Sequence, residues 1–240
     1  MQLSISEPTA DNKARPYVIG PITPAEQGLV EFLKRVLPAE REDRVYIFDS
    51  KAPKQRGLTP NVCRKIEHMA KRILKDDERL EVWFSAAAYD RKLVWDHQTE
   101  HGVGKGRLGK YVVALKALRQ DIDIHASGRK DGATDGKACH TSIEAAIQAR
   151  DAILANLGLS ASITVKSGGG LHSYIVTDRE MTPAEFKAAS VALRDLIEKV
   201  DPRLAVDTSR WCDVNGLLRP PYTFNKKAAY GSPRLVEIVQ

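Results

Sequence analysis

Apolar residues recur at helical spacing in Leu29, Phe32, Leu33 and Val36. Ahead of them Thr23-Pro24-Ala25-Glu26 reads as a capping box with proline at the first helical position. Residues 22–37 are therefore predicted helix, ended by Pro38. Val45-Tyr46-Ile47-Phe48 predicts a short strand, followed by a basic loop from Lys51 to Gly57. Thr59-Pro60 opens a second predicted helix reaching Leu74, with Val62, Ile66, Met69, Ala70 and Ile73 as its apolar stripe. Leu80–Tyr89 reads as a strand with Arg91–Trp95 as its hairpin partner, and the polar, glycine-rich Asp96–Lys110 reads as a mobile basic loop.

From Tyr111 the pattern is more regular. Tyr111–Leu118 reads as helical and leads into a strand at Arg119–Ile124; the turn-rich Ser127–Lys137 follows. Thr141 and Glu144 frame a capping box for a helix carrying Ile143, Ile147, Leu154 and Leu157 and ending at Gly158. Strands at Ser162–Lys166 and Leu171–Val176 flank Ser167-Gly168-Gly169-Gly170. Thr182-Pro183-Ala184-Glu185 caps a helix to Val200, with Met181 and Phe186 as its hydrophobic staple, and Leu204–Val206 gives a last strand. The order β-α-β-β-α-β is that of a ferredoxin-like or RRM-like antiparallel sheet, with both helices on one face and the other face free for a site. The predicted class is α+β: a disordered lead-in at 1–16, a mixed α/β N-terminal subdomain at 17–110, and a βαββαβ catalytic subdomain at 111–240.

Composition changes this picture little. The 240 residues are 42% hydrophobic and 28% charged, which excludes disorder over most of the length. No apolar run approaches the roughly 18 residues of a membrane helix, so no membrane partner is expected. Cys63, Cys139 and Cys212 are too few and too scattered for a disulfide framework, which fits a reducing, cytoplasmic location. Charge adds more. The net +6 arises in residues 1–120, with 22 basic and 16 acidic side chains (22 − 16 = +6), while 121–240 carry 15 of each. A basic half points to a polyanion, whose counterions Lys and Arg displace; a merely solvated basic face gives the same count.

Three segments carry candidate chemistry. Asp121 and Asp123, two apart on a strand, project from one face and offer the oxygen-only ligands that suit Mg²⁺ or Mn²⁺; as a bare pattern they equally describe two solvent-facing acids. The glycine triplet after Ser167 points to close approach of backbone to a ligand, with Ser167 and His172 adding donors for phosphate oxygens, or to a plain flexible hairpin. Asp207 precedes Leu218-Arg219-Pro220-Pro221-Tyr222-Thr223-Phe224-Asn225-Lys226-Lys227, where Arg219, Asn225 and Lys227 suit a polyphosphate or form a basic loop. In the predicted sheet the strands bearing Asp121 and His172 are central neighbours, which joins these signals into one constellation.

Together, Leu118-Arg119-Gln120-Asp121-Ile122-Asp123, Ser167-Gly168-Gly169-Gly170-Leu171-His172-Ser173-Tyr174, and Asp207 with Arg219 to Lys227 resemble the archaeo-eukaryotic primase superfamily, and within it the primase-polymerase (PrimPol) catalytic domains of phages and plasmids. The resemblance covers about residues 111–238; Trp83-Phe84-Ser85 and Lys110–Leu118 resemble the family's N-terminal subdomain less specifically. It implies that Asp121, Asp123 and Asp207 are catalytic and hold two divalent ions, Mg²⁺ or Mn²⁺. It also implies that Ser167, Gly168, Gly169 and His172 meet the incoming nucleotide, with Arg219, Asn225 and Lys227 as further phosphate contacts. Pro221-Tyr222 departs from the family's glycine after the proline, and Asp213 rivals Asp207 as third ligand.

His97-Gln98-Thr99-Glu100-His101 matches a zinc-protease pattern, but the glycines that follow predict no helix to align the histidines. A structural zinc on His97, His101, Cys139 and His140 is not expected either. Gly104 to Gly109 matches a dinucleotide fingerprint without a strand before it; its Lys105 and Arg107, with Lys110, are better candidates for template phosphates. The expectation is a DNA primase-polymerase that joins NTP or dNTP on a single-stranded DNA template, in phage or plasmid replication, with a helicase domain or protein as a further candidate partner. The alternatives are a non-catalytic single-stranded-DNA or origin-binding module, and a nuclease using the same carboxylates.

Overall fold

The computed structural model describes residues 23–102, 104–125, 138–205 and 210–240. The segment Ser127–Lys137, residues 1–16, Asp207 and Val206 of the last predicted strand lie outside them. Among the described residues eleven strands and five α-helices follow in chain order. They are α1 (Pro24–Val36), β1 (Arg44–Lys51), β2 (Thr59–Cys63), α2 (Ile66–Asp77), β3 (Glu81–Ser85), β4 (Ala87–Asp90), α3 (Arg91–His101) and β5 (Val112–Asp123). After these come α4 (Ile143–Asn156), β6 (Ile163–Lys166), β7 (Gly170–Met181), α5 (Pro183–Val200), β8 (Leu217–Leu218), β9 (Phe224–Asn225), β10 (Arg234–Leu235) and β11 (Glu237–Ile238).

The class is α+β, with antiparallel pairing throughout its named strands. Nine strands form one sheet in the order β11-β6-β7-β5-β4-β1-β3-β8, with β2 on β1, while β9 and β10 form a separate ribbon. The order β6-β7-β5 is the predicted split βαβ. Its expected fourth strand is not found among the described residues: Pro202–Leu204 is a 3-10 turn, and the place beside β5 belongs to β4. The sheet therefore runs uninterrupted across the 110/111 boundary.

Helices with their own caps form where expected. Thr23 Oγ1 accepts from Glu26 N, and Thr182 and Glu185 complete a reciprocal capping box. Both staple residues, Met181 and Phe186, join the core that Val45, Ile47 and Tyr89 form. The α4 cap is Ser142 and not Thr141.

Other segments differ because pairing partners outweigh local preference. Thr59–Cys63 lies antiparallel to Tyr46–Ser50, with Pro60 on an edge strand, the place in a sheet that tolerates proline, so α2 starts only at Ile66. Tyr111–Leu118 is not helical: Val112 onward is strand, held between β4 and β7. Arg91–Trp95 is not a strand but the start of α3, because the Asp90 side chain accepts from Leu93 N at 2.9 Å and caps a helix there. The Leu80–Tyr89 strand divides into β3 and β4 at Ala86.

Helices cover both faces of the sheet. Ile122, Leu171 and Ile175 pack with Ala146, Ile153 and Leu154 of α4 and Leu193 and Ile197 of α5. On the opposite face α1 and α2 cover part of what the sequence left open: Phe32 packs edge-on against Phe84 and Tyr174, with ring centroids 5.6 and 5.4 Å away. The site occupies the uncovered remainder. No described helix is long and apolar enough to cross a membrane. Because Phe32 anchors α1 to strands from both parts of the sheet, Phe32→Ala is expected to destabilise the fold by about 3–5 kcal/mol, the usual cost of emptying such a position. Urea unfolding of the variant against the native chain measures it.

Candidate active site

Alternation along β5 buries Ile122 under the helices and turns Asp121 and Asp123 to the other face. In the β5–β7 register Asp121 lies opposite His172 and Asp123 opposite Gly170, and His172 Nε2 is 3.6 Å from Asp121 Oδ1. Asp121, Asp123 and His172 line a cleft of about 480 Å³ shared with Ser167, Gly169, Arg219, Asn225 and Lys227. The structure thus brings two of the three predicted carboxylates, Asp121 and Asp123, together with most of the predicted phosphate contacts. Gly168 lines a separate cavity on the other side of the loop.

The glycine triplet is required by the chain itself. Gly168 has φ +87° and sits against Asn225 and Arg234, a Cβ on Gly169 would collide with the Tyr230 hydroxyl, and one on Gly170 would lie 2.2 Å from the Ile122 carbonyl oxygen. Asn225 is buried and donates from Nδ2 to the Ser167 carbonyl at 2.7 Å, so it holds the loop in place. Lys227 is exposed at the rim, its ammonium 5.8 Å from the Tyr230 ring centroid.

His172 is buried, and that burial, followed by the positive fields of Arg210 and Arg219, lowers its pKa to about 3 despite an opposing hydrogen bond with the Arg219 backbone. The imidazole is therefore neutral at pH 7. Arg219 is 9% exposed; Nη2 donates to Glu81 Oε2 at 2.6 Å, and the guanidinium carbon lies 4.5 Å from the Trp83 ring centroid.

Reading from sequence missed Glu81, Lys51 and Arg210. Arg210 Nη1 approaches Asp121 Oδ2 at 3.4 Å, and the adjacent Trp211 donates its indole N–H to the Asp121 carbonyl at 3.1 Å. Lys51 and Glu81 are cross-strand partners on β1 and β3, thirty residues apart, and only the pairing pattern exposes them.

Asp213 does not enter this cleft. Its Oδ1 accepts from Asn215 N at 3.1 Å in a turn, beside a neighbouring cavity of about 300 Å³. Asp207 lies outside the described residues. Among those residues no three His, Cys, Asp or Glu side chains form a metal cluster. Asp121 and Asp123 nonetheless present an oxygen-only donor pair on one wall, which fits Mg²⁺ or Mn²⁺ and not a thiophilic ion.

The template candidates are not equivalent. Lys105 and Lys110 are exposed, whereas Arg107 turns inward, its Nε 2.5 Å from the fully buried Asp49 carboxylate and its Nη1 on the Asn215 carbonyl. Contrary to the sequence reading, His97 and His101 do lie on a helix, α3, with ring centroids 4.3 Å apart. They cannot share a zinc ion with Cys139 and His140. His97 meets Tyr111 at the start of β5 and His140 bridges Ile124 at its end, about 40 Å of extended strand away.

No family model matches the sequence, and no curated protein matches it significantly. The fold, with acids on a central strand beside a glycine loop, is of the archaeo-eukaryotic primase type. It is similar to the primase-polymerase domain of cyanophage S-2L, at 10% identity and a TM-score of 0.55 over 90% of this chain and 88% of that one. Also similar are the catalytic domain of primase RepB′ in complex with initiator DNA, at 10% identity and TM-score 0.46 over 88% and 84%, and the polymerase domain of Mycobacterium tuberculosis ligase D in complex with DNA, at 13% and 0.49 over 90% and 79%.

Asn225→Ala is expected to cost about 1–3 kcal/mol, because it leaves the buried Ser167 carbonyl without its donor. Chemical denaturation reads the loss.

Proposed function

We propose that this chain is a primase-polymerase, a template-dependent nucleotidyltransferase that extends a strand on single-stranded DNA from nucleoside triphosphates. The observation that carries the reading is one cleft, in a fold of this type, where two same-face carboxylates meet a clamped arginine and a buried histidine. Asp121 and Asp123, with Asp207 as third candidate, would hold the divalent ions. A bound Mg²⁺ or Mn²⁺ supplies Lewis-acid activation and neutralises developing charge.

The chain's own residues do the positioning. Arg219 offers its fork to phosphate oxygens by charge-assisted bonds. His172, neutral and rigidly buried, offers a single N–H without competing as a cation for Asp121. Ser167 and Gly169 form the loop floor that Asn225 fixes, Gly168 turns to the other side of that loop, and Lys227 adds charge at the rim. Held in line, the 3′-oxygen attacks the α-phosphorus and pyrophosphate leaves, so most of the catalytic effect is orientation and electrostatic stabilisation. The exposed Lys105 and Lys110 suit template phosphates; Arg107 is the weaker candidate of the three because it is tied to Asp49.

Nucleotide incorporation on single-stranded DNA with Mg²⁺ or Mn²⁺ tests the reading, with ribonucleotides and deoxynucleotides in separate arms. Asp121→Ala and Asp123→Ala are each expected to lower the rate at least about a hundredfold, the scale of losing one electrostatic stabiliser, and EDTA to abolish it. Tight metal-independent binding of DNA without incorporation would favour the binding module instead, and template degradation the nuclease.

A further inference from the structure

Arg219 is held more firmly than a phosphate contact at a cleft wall needs for solubility or folding. Its Nη2 is tied to Glu81 at 2.6 Å and its plane lies against Trp83, both on β3, while Arg219 itself follows β8, the strand paired with β3. The third feature is what remains: Nη1 is buried and has no acceptor among the described residues. A buried charged donor left without an acceptor is costly, and such groups are rare unless something binds there. Lys51, directly across from Glu81, lines the same cleft.

We propose that Glu81 and Trp83 are positioning residues that hold Arg219 as a preorganised fork, with Nη1 presented to an anionic oxygen of the triphosphate. This rests on the nucleotide-binding reading of the cleft and adds two residues that lie far outside its motifs in sequence. Glu81 touches no substrate; it acts through Arg219. Trp83 fixes the plane of the guanidinium, so that the fork loses little freedom when an anion arrives.

Positioning and bulk electrostatics predict opposite signs for the removal of Glu81. Deleting a carboxylate from a cleft with Lys51 and Arg219 raises the local positive potential and by itself tightens anion binding. Loss of orientation weakens it. Titration calorimetry with inorganic tripolyphosphate in Mg²⁺ buffer separates the two without requiring turnover.

Glu81→Ala is expected to weaken binding about tenfold, within the range for residues of one network. Glu81→Gln, which keeps an acceptor for Nη2, is expected to bind as well as the native chain or better, and Glu81→Ala is expected to cause no further loss in an Arg219→Ala background. The incorporation assay should show the Glu81→Ala loss mainly in the KM for nucleotide. Unchanged or tighter binding by Glu81→Ala overturns the proposal, as does tripolyphosphate binding that Arg219→Ala leaves intact. If thermal unfolding shows that Glu81→Ala does not fold, Trp83→Leu, which alters no charge, reads the same clamp: weaker binding supports it and unchanged binding overturns it. A native chain that binds tripolyphosphate through Arg219 but incorporates no nucleotide refutes the polymerase reading, while the binding arm still decides the clamp.

Discussion

A strand edge can hydrogen-bond one neighbour at each position, and the run from Glu81 to Asp90 gives the same edge to two different strands. Its first half takes Leu217–Leu218, through Phe84↔Leu218 and Ser85↔Leu217; its second takes β5, from Ala87↔Leu115 onward. The change of neighbour falls at Ala86, fully buried and small enough for two strands to diverge beside it. There β5 also shifts register against β7, between Leu115 and Ala117. Beyond that point β5 leaves the run, and the space that opens between the two branches is the cleft. Asp121 and Asp123 stand on one branch, Arg219 follows the other, and Glu81 and Trp83 sit on the shared strand. The fold does not merely carry the site; the fork in the sheet creates it.

Electrostatics in that space are nearly balanced. Lys51, Arg210, Arg219 and Lys227 face Glu81, Asp121 and Asp123 across the lining, four cations against three acids with His172 neutral, a formal +1. The state of His172 matters here: were it charged, it would be a permanent competitor at 3.6 Å for the carboxylate of Asp121. Burial removes that competitor. Arg210 remains, but its side chain is half exposed and its contact is long, and so exposed a pair contributes little.

What was legible in the sequence is what local spacing controls. The Asp121-x-Asp123 alternation, the glycine loop and His172 lie on adjacent strands whose pairing a β-α-β-β order already implies, and α1, α4 and α5 announce themselves by caps. What was not legible depends on partners far away. Val112–Leu118, with Ala114-Leu115-Lys116-Ala117-Leu118 in a row, reads as helix, yet two flanking strands hold it extended. Glu81 and Lys51 look like ordinary surface charges until β1 and β3 pair. The glycine triplet was visible, but its cause was not: much of the close approach is to Ile122, Asn225, Arg234 and Tyr230 of the same chain.

The charge asymmetry between the halves needs the same correction. A formal +6 on residues 1–120 describes a chain, whereas a partner meets a surface. Arg44 of the first half is neutralised by Glu180 of the second at 2.8 Å, Arg107 is tied to the buried Asp49, and Glu81 of the first half is committed to Arg219 of the second. Such pairs contribute to the count in one half or the other but little to the outward field. The part of the basic excess that can attract a phosphate backbone is therefore the part left exposed, including Lys105 and Lys110 and the loop after β1, and its position relative to the fork is a property of the sheet that no count along the chain contains.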